Sequence, residues 1–240
     1  MALPALGCLL CLGLAPAHAA DPVAHGFLDR VYKGAGDEEA KYVLFVPHDY
    51  KGDKPYPLVV FLHGSGSTGT DGKKQVGGIA AAIRKDEMSF PALVLFPQSQ
   101  KRSWRADSED GKRALAILAE VEKQYKIDGK RVYLTGLSMG GFGTWSLAAA
   151  YPDKWAAIVP ICGGGDPTKA EKMKNIPCWC FHGDADPTVK VDFSRNMIKA
   201  LKAAGGDPKY TEYPGVGHNS WTQAYGDKEL YEWLWKQRLK

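Results

Sequence analysis

The chain has 240 residues, of which 45% are hydrophobic and 24% charged, with a formal charge of +4. That length and apolar content suit one globular domain with a sizeable core and leave no need for a second. Acidic and basic residues are interspersed without a long basic run, so nothing calls for nucleic acid or an acidic membrane surface as partner.

Residues 1–20 contain no Lys, Arg, Asp or Glu, and their apolar run leads into Ala17-His18-Ala19. Small residues at that spacing predict a secretory signal over 1–19, although the usual basic start is missing, and a mature chain over 20–240. The expected location is therefore secreted or periplasmic. No later stretch is long and apolar enough to insert in a membrane. Cys8 and Cys11 would leave with the signal, and Cys162, Cys178 and Cys180 would remain. Cys178 and Cys180 flank Trp179 on a predicted strand and so share a face. Either Cys162 pairs with one of them or all three are buried free thiols. No His/Cys pair has the spacing of a zinc site, and no metal or other cofactor is expected.

From about residue 25 the chain alternates β-rich with helical runs, which predicts an α/β domain on a mostly parallel sheet with helices on both faces. Strands are expected at 26–32 and 41–47, with a turn at 33–37. The continuous apolar run 57–62 reads as a strand covered on both sides and ends in His63-Gly64-Ser65-Gly66-Ser67. Such a loop can turn backbone N–H groups toward a site. A helix over 76–85 and a strand over 92–96 follow, then a polar loop with Lys101, Arg102, Trp104 and Arg105, then a helix over 108–124.

At 131–150 the residue types switch from β-formers (Val132, Tyr133, Leu134) to helix formers (Leu147 to Ala150), with Gly136-Leu137-Ser138-Met139-Gly140 at the switch. A serine in a tight strand-to-helix turn needs glycine neighbours so that the backbones pass closely and its hydroxyl projects outward. The next amide then lies at a helix N-terminus, where donors are unpaired and negative charge is favoured. Those features suit acyl transfer at Ser138.

Strands at 155–161 and 177–181 come next. Their short connection leaves no room for a large cap, so an open site is expected. His182-Gly183-Asp184-Ala185-Asp186-Pro187-Thr188-Val189 follows, then a helix over 193–204, a strand over 209–213, the turn carrying Gly217-His218-Asn219-Ser220-Trp221, and a last helix with Leu230, Trp233 and Leu234.

A hydroxyl nucleophile needs a base and a carboxylate to hold the resulting imidazolium, and both can come from distant loops. Here the order is Ser, Asp, His. On these segments the chain resembles the dienelactone-hydrolase and phospholipase/carboxylesterase branch of the α/β-hydrolase superfamily, near secreted esterases of the polyhydroxybutyrate depolymerase and feruloyl esterase type. The likeness runs from about Tyr42 to Lys240. It implies a compact single-domain α/β-hydrolase and a serine esterase with Ser138 as nucleophile, His218 as base and Asp186, just before Pro-x-Val, as acid. Asp184 is the competitor, assigned instead to bracing its turn, and Asp166 ranks third. The resemblance further implies an oxyanion hole from the backbone N–H groups of Met139 and Ser65, with His63 acting through its backbone. His182 is assigned to fixing the acid loop, and His25 and His48 to peripheral positions.

Substrate is less defined. Trp104 and Trp221 are candidate aromatic walls for a sugar, an aromatic acyl group or a polyester segment, or else packing residues. Lys101, Arg102 and Arg105 either attract an acidic group or form a solvated loop. The expected substrate is a small or polymer-linked ester (feruloyl, acetyl or polyester). A peptidase of the prolyl-oligopeptidase type and a silent binding module on the same fold are the rival readings.

Overall fold

The computed structural model describes residues 23–34 and 39–240. The expected signal over 1–19 and residues 35–37 of the expected turn lie outside the described residues. One eight-stranded sheet organises the chain, with β1 (Gly26–Lys33), β2 (Glu39–Val46), β3 (Tyr56–Leu62), β4 (Leu93–Pro97), β5 (Ile127–Leu137), β6 (Ala157–Ile161), β7 (Trp179–Gly183) and β8 (Lys209–Tyr213). Their spatial order is β1-β2-β4-β3-β5-β6-β7-β8. β2 runs antiparallel to β1 and β4, and every pairing from β4 to β8 is parallel.

The central strands are apolar throughout because helices cover both faces. Along β3, Leu58, Val60 and Leu62 enter one core while Val59 and Phe61 enter the other. On the first face lie α2 (Glu109–Gln124), α3 (Met139–Ala150), the short α4 (Ala170–Met173) and α5 (Asp192–Ala203); on the second lie α1 (Ala80–Lys85), α6 (Trp221–Gly226) and α7 (Lys228–Leu234). α2 shows how the sequence starts a helix: Ser108 Oγ accepts the amide of Gly111, and Glu109 and Asp110 place negative charge in the first turn.

The two central strands set the site. Leu62 at the end of β3 pairs with Gly136 near the end of β5, so the His63-Gly64 loop and Ser138 emerge side by side at the carboxyl edge. Between β6 and β7 the connection holds only a 3-10 turn (Pro167–Lys169) and α4, and among the described residues no large cap is inserted at this edge.

The cysteine alternatives are also resolved. Cys178 and Cys180 share a face as alternation requires, but Cys162 belongs to the core on the other side of the sheet. All three are free, buried thiols.

Candidate active site

Ser138 sits between the last residue of β5 and the first of α3 with φ 54° and ψ −117°, a left-handed conformation that few non-glycine residues adopt. The turn is held by the Ser138 amide, which donates to the Ile161 carbonyl at 3.0 Å and lies 3.3 Å from Cys162 Sγ. Gly140 is required here because an added Cβ would fall 1.8 Å from the Leu62 carbonyl oxygen.

Two distant loops complete the cluster. His218 Nε2 lies 2.9 Å from Ser138 Oγ, and its Nδ1 lies 2.6 Å from Asp186 Oδ2. The carboxylate takes no proton to share at neutral pH, so Nδ1 carries the hydrogen and Nε2 is left to accept from the serine hydroxyl. Asp186 follows β7 with its side chain fully buried. Burial alone would raise its pKa, but the bonds from His218 and from the Val189 and Thr188 amides outweigh this and hold it below the ordinary value. Asp184 instead accepts the Gly215 amide at 2.6 Å, and Asp166 accepts from Thr168.

After His63-Gly64, Ser65 opens a 3-10 turn, and after Ser138, Met139 opens α3. Neither amide donates to an acceptor among the described residues. The loop before Ser65 is locked from within. Ser99 N donates to His63 Nε2 at 2.9 Å, which fixes the other ring hydrogen on Nδ1, where it meets the Gly64 carbonyl at 2.7 Å. Burial lowers the His63 pKa, in keeping with a neutral ring. Trp104 Nε1 donates to the His63 carbonyl at 3.0 Å. That indole is only 2% exposed, so it holds the loop and presents almost none of its surface.

Asp110 contributes support that the sequence did not announce. Its buried carboxylate accepts from Ser99 Oγ (2.6 Å) and from the amides of Gln100 (2.9 Å) and Lys101 (2.8 Å), and pairs with Arg113 at 2.7 Å. It thereby pins the loop that bonds to His63. The only local signal was its place in the first turn of α2.

Cys162, Asp186 and His218 are also the one set of His, Cys and carboxylate groups among the described residues with ligand atoms within 4.8 Å of one another. Burial pushes the Cys162 thiol up to about 12, and Asp186 and His218 are already bonded to each other. This donor set suits a hydrogen-bonded relay better than a resident metal.

The dienelactone hydrolase family matches residues 38–229. The chain belongs to that family. A solved thermostable esterase is 39% identical with a TM-score of 0.82, over 88% of this chain and 63% of its own. Poly(3-hydroxyalkanoate) depolymerase C of Paucimonas lemoignei is 32% identical over 172 residues, 66% of this chain and 40% of that protein. The Aspergillus flavus protein named "Probable feruloyl esterase C" is 26% identical over 190 residues, 77% of this chain and 69% of that protein. The chain thus spans less than two thirds of the thermostable esterase. By family and kinship this dienelactone hydrolase family member is a carboxylic-ester hydrolase with the α/β-hydrolase fold.

Two cavities are lined by neighbours of the cluster, Met139 in one and Trp221 in the other, and by none of Ser138, Asp186 and His218. One, of about 710 Å³, is bordered by Met139, Phe142, Trp145, Arg102 and Trp104. The other, of about 700 Å³, is an apolar groove between α1 and α6/α7, where Trp221, Tyr225, Tyr231 and Trp235 stand in the wall. Trp221 is partly exposed, and its ring meets His218 edge-on at 5.4 Å. Among the described residues no helix is long and apolar enough to cross a membrane.

Proposed function

We propose that this protein is an exported serine esterase that cleaves carboxylic esters through an acyl-enzyme on Ser138. The observation that carries this reading is the continuous hydrogen-bonded line from Asp186 Oδ2 through both ring nitrogens of His218 to Ser138 Oγ. His218 Nε2 removes the hydroxyl proton as Oγ attacks the ester carbonyl carbon, and the oxygen that gains charge is received by the Ser65 and Met139 amides. Asp186 faces the imidazolium. The intermediate collapses as His218 returns the proton to the departing alkoxide, leaving the acyl group on Oγ. Water, deprotonated by the same nitrogen, then releases the acid and restores the serine.

Small or polymer-linked esters, including feruloyl, acetyl and polyester types, are the proposed substrates. Support comes from relatives named for feruloyl, acetylxylan and polyhydroxyalkanoate substrates and from the open edge of the sheet. Trp221 is the proposed aromatic wall for the bound ester, while Trp104 acts on the His63 loop. Export rests on the leader-like sequence of residues 1–19.

Hydrolysis of short and long acyl nitrophenyl esters and of methyl ferulate, compared between the chain beginning at Ala20 and its Ser138→Ala variant, tests the reading. Activity that collapses in the variant, together with fluorophosphonate labelling of Ser138, is the expected result. A folded protein that takes up no fluorophosphonate and cleaves none of these esters would instead be a binding module.

A further inference from the structure

Asp186 accepts four hydrogen bonds, and one of them comes from a second histidine. Oδ1 takes the amides of Thr188 at 2.8 Å and Val189 at 2.9 Å, and Oδ2 takes His218 Nδ1 at 2.6 Å and His182 Nε2 at 3.2 Å. An ionised carboxylate offers about four lone-pair sites, so this one is saturated. His182 is completely buried at the end of β7. Its Nε2 also lies 2.9 Å from the Val189 carbonyl. Both neighbours of that nitrogen are pure acceptors, so Nε2 must carry the hydrogen. The other ring nitrogen meets Ser194 Oγ of α5 at 2.7 Å, and Ser194 Oγ lies 2.9 Å from the Gly163 carbonyl after β6.

His182 therefore closes a ring inside the acid turn: Val189 gives its amide to Oδ1, and His182 shares one hydrogen between the Val189 carbonyl and Oδ2. Removing it would leave Oδ2 with His218 as its single partner, while the Thr188 and Val189 amides still hold Oδ1, in a pocket with no water-exposed surface on the carboxylate. From this geometry we infer that His182 is a positioning residue for ester cleavage, acting through Asp186 to aim Oδ2 at His218 Nδ1. The inference rests on the reading of Ser138, His218 and Asp186 as the working triad.

The groups around His182 define the control variants. Gln places an amide N–H near the position of Nε2, whereas Leu fills the volume without a donor. Ser194→Ala leaves the Nε2 bond in place and releases only the far side of the ring. The experiment measures kcat and KM of His182→Leu, His182→Gln, Ser194→Ala, Asp186→Asn and the His182→Leu/Asp186→Asn pair on a nitrophenyl ester, with thermal melts to confirm folding.

The expected results are a kcat about ten- to a hundredfold lower in His182→Leu with KM within about twofold, recovery to within about threefold in His182→Gln, and a loss of about threefold in Ser194→Ala. In the Asp186→Asn background His182→Leu should cost nothing further, because its route to the reaction is already cut. If His182→Leu does not fold, the Gln and Ser194→Ala values and the downfield resonance of the His218 Nδ1 hydrogen carry the test. That resonance should stay in Ser194→Ala and in His182→Gln, which keep a donor to Oδ2, and move in His182→Ala, which does not; no shift in His182→Ala overturns the inference. A kcat unchanged in His182→Leu, or a loss that simply adds to that of Asp186→Asn, overturns the inference while the triad stands. Full activity in Asp186→Asn overturns the triad reading itself, and the inference falls with it.

Discussion

Cys162 Sγ lies 3.3 Å from the amide nitrogen of Ser138, and both residues have positive φ, 40° and 54°. The sulfur beside the nucleophile is nevertheless no rival for it. Burial pushes the Cys162 thiol up to about 12, and the thiols of Cys178 and Cys180 rise for the same reason, so all three stay protonated near neutrality. Thiol reagents attack the thiolate of accessible residues. The chain beginning at Ala20 should therefore show no reactive thiol to Ellman's reagent while folded and three in guanidinium. A single thiol in guanidinium would reveal a disulfide.

The strained φ of Ser138 predicts a separation of stability from activity. A left-handed conformation costs a non-glycine residue about 1–2 kcal/mol. Glycine removes that strain but adds about 0.5–1 kcal/mol of unfolded-state entropy. Ser138→Gly and Ser138→Ala both remove the nucleophile and its bond to His218, and only the first relieves the backbone. Calorimetry should give the Gly variant a melting temperature about 2–4 °C above the Ala variant, with neither hydrolysing esters. Equal melting temperatures would mean that the turn stores no strain.

Much of this arrangement is legible in the sequence, for specific reasons. The run 57–62 could be read as a buried strand because β3 is covered on both faces, and the residue switch at Ser138 marked the elbow directly. Elsewhere tertiary contacts decided. The strand expected at 177–181 is Trp179–Gly183, because His182, polar in the sequence, is buried by its bonds to Ser194, Asp186 and Val189. The expected last helix, with Leu230, Trp233 and Leu234, is α7; ahead of it the end of the expected turn at Trp221 opens a further helix, α6, separated from α7 at Asp227, whose extended backbone lets its side chain cap α7 by accepting the Glu229 amide. The position of β4 between β2 and β3 depends on non-local pairing that periodicity does not encode. The Asp110 cluster was hidden similarly, since it joins Ser99, Gln100 and Lys101 to a helix that reads as ordinary on its own.

Met139 and Gly140, adjacent in the chain, should respond oppositely to the same small substitution. Met139 is assigned to the site through its backbone N–H, which Met139→Ala keeps. Its kcat should stay within about threefold of the parent, against the two to three orders of magnitude typical for a lost oxyanion donor. Gly140→Ala places a methyl group against the backbone of β3, 1.8 Å from the Leu62 oxygen and 2.5 Å from its carbon. Neither can retreat without moving a central strand, so about 3 kcal/mol of stability should be lost. Urea melts and ester turnover measured on both variants decide this. A hundredfold fall in Met139→Ala would show that its side chain takes part.

The acid sensitivity of the fold should trace in part to Asp110. Burial alone would raise its pKa, but bonds from Ser99, Gln100, Lys101 and Arg113 outweigh that and set it below the ordinary value. A carboxylate whose folded pKa lies below its unfolded value, about 3.9, stabilises the fold at every pH above that value. This contribution is lost as pH falls through the folded pKa. Asp186 is shifted in the same direction and should act in the same window. Asp110→Ala takes the acceptor from the Ser99 hydroxyl and the Gln100 and Lys101 amides and should cost about 3–5 kcal/mol at pH 7. Urea melts of parent and variant at pH 7 and pH 3 should show that difference shrinking on acidification, because the parent then loses what the variant already lacks. Since Asp110 bonds to Ser99, whose amide donates to His63, the variant's kcat at pH 7 should also fall about tenfold. A stability difference that stays constant between the two pH values would mean that the Asp110 pKa is the same folded and unfolded.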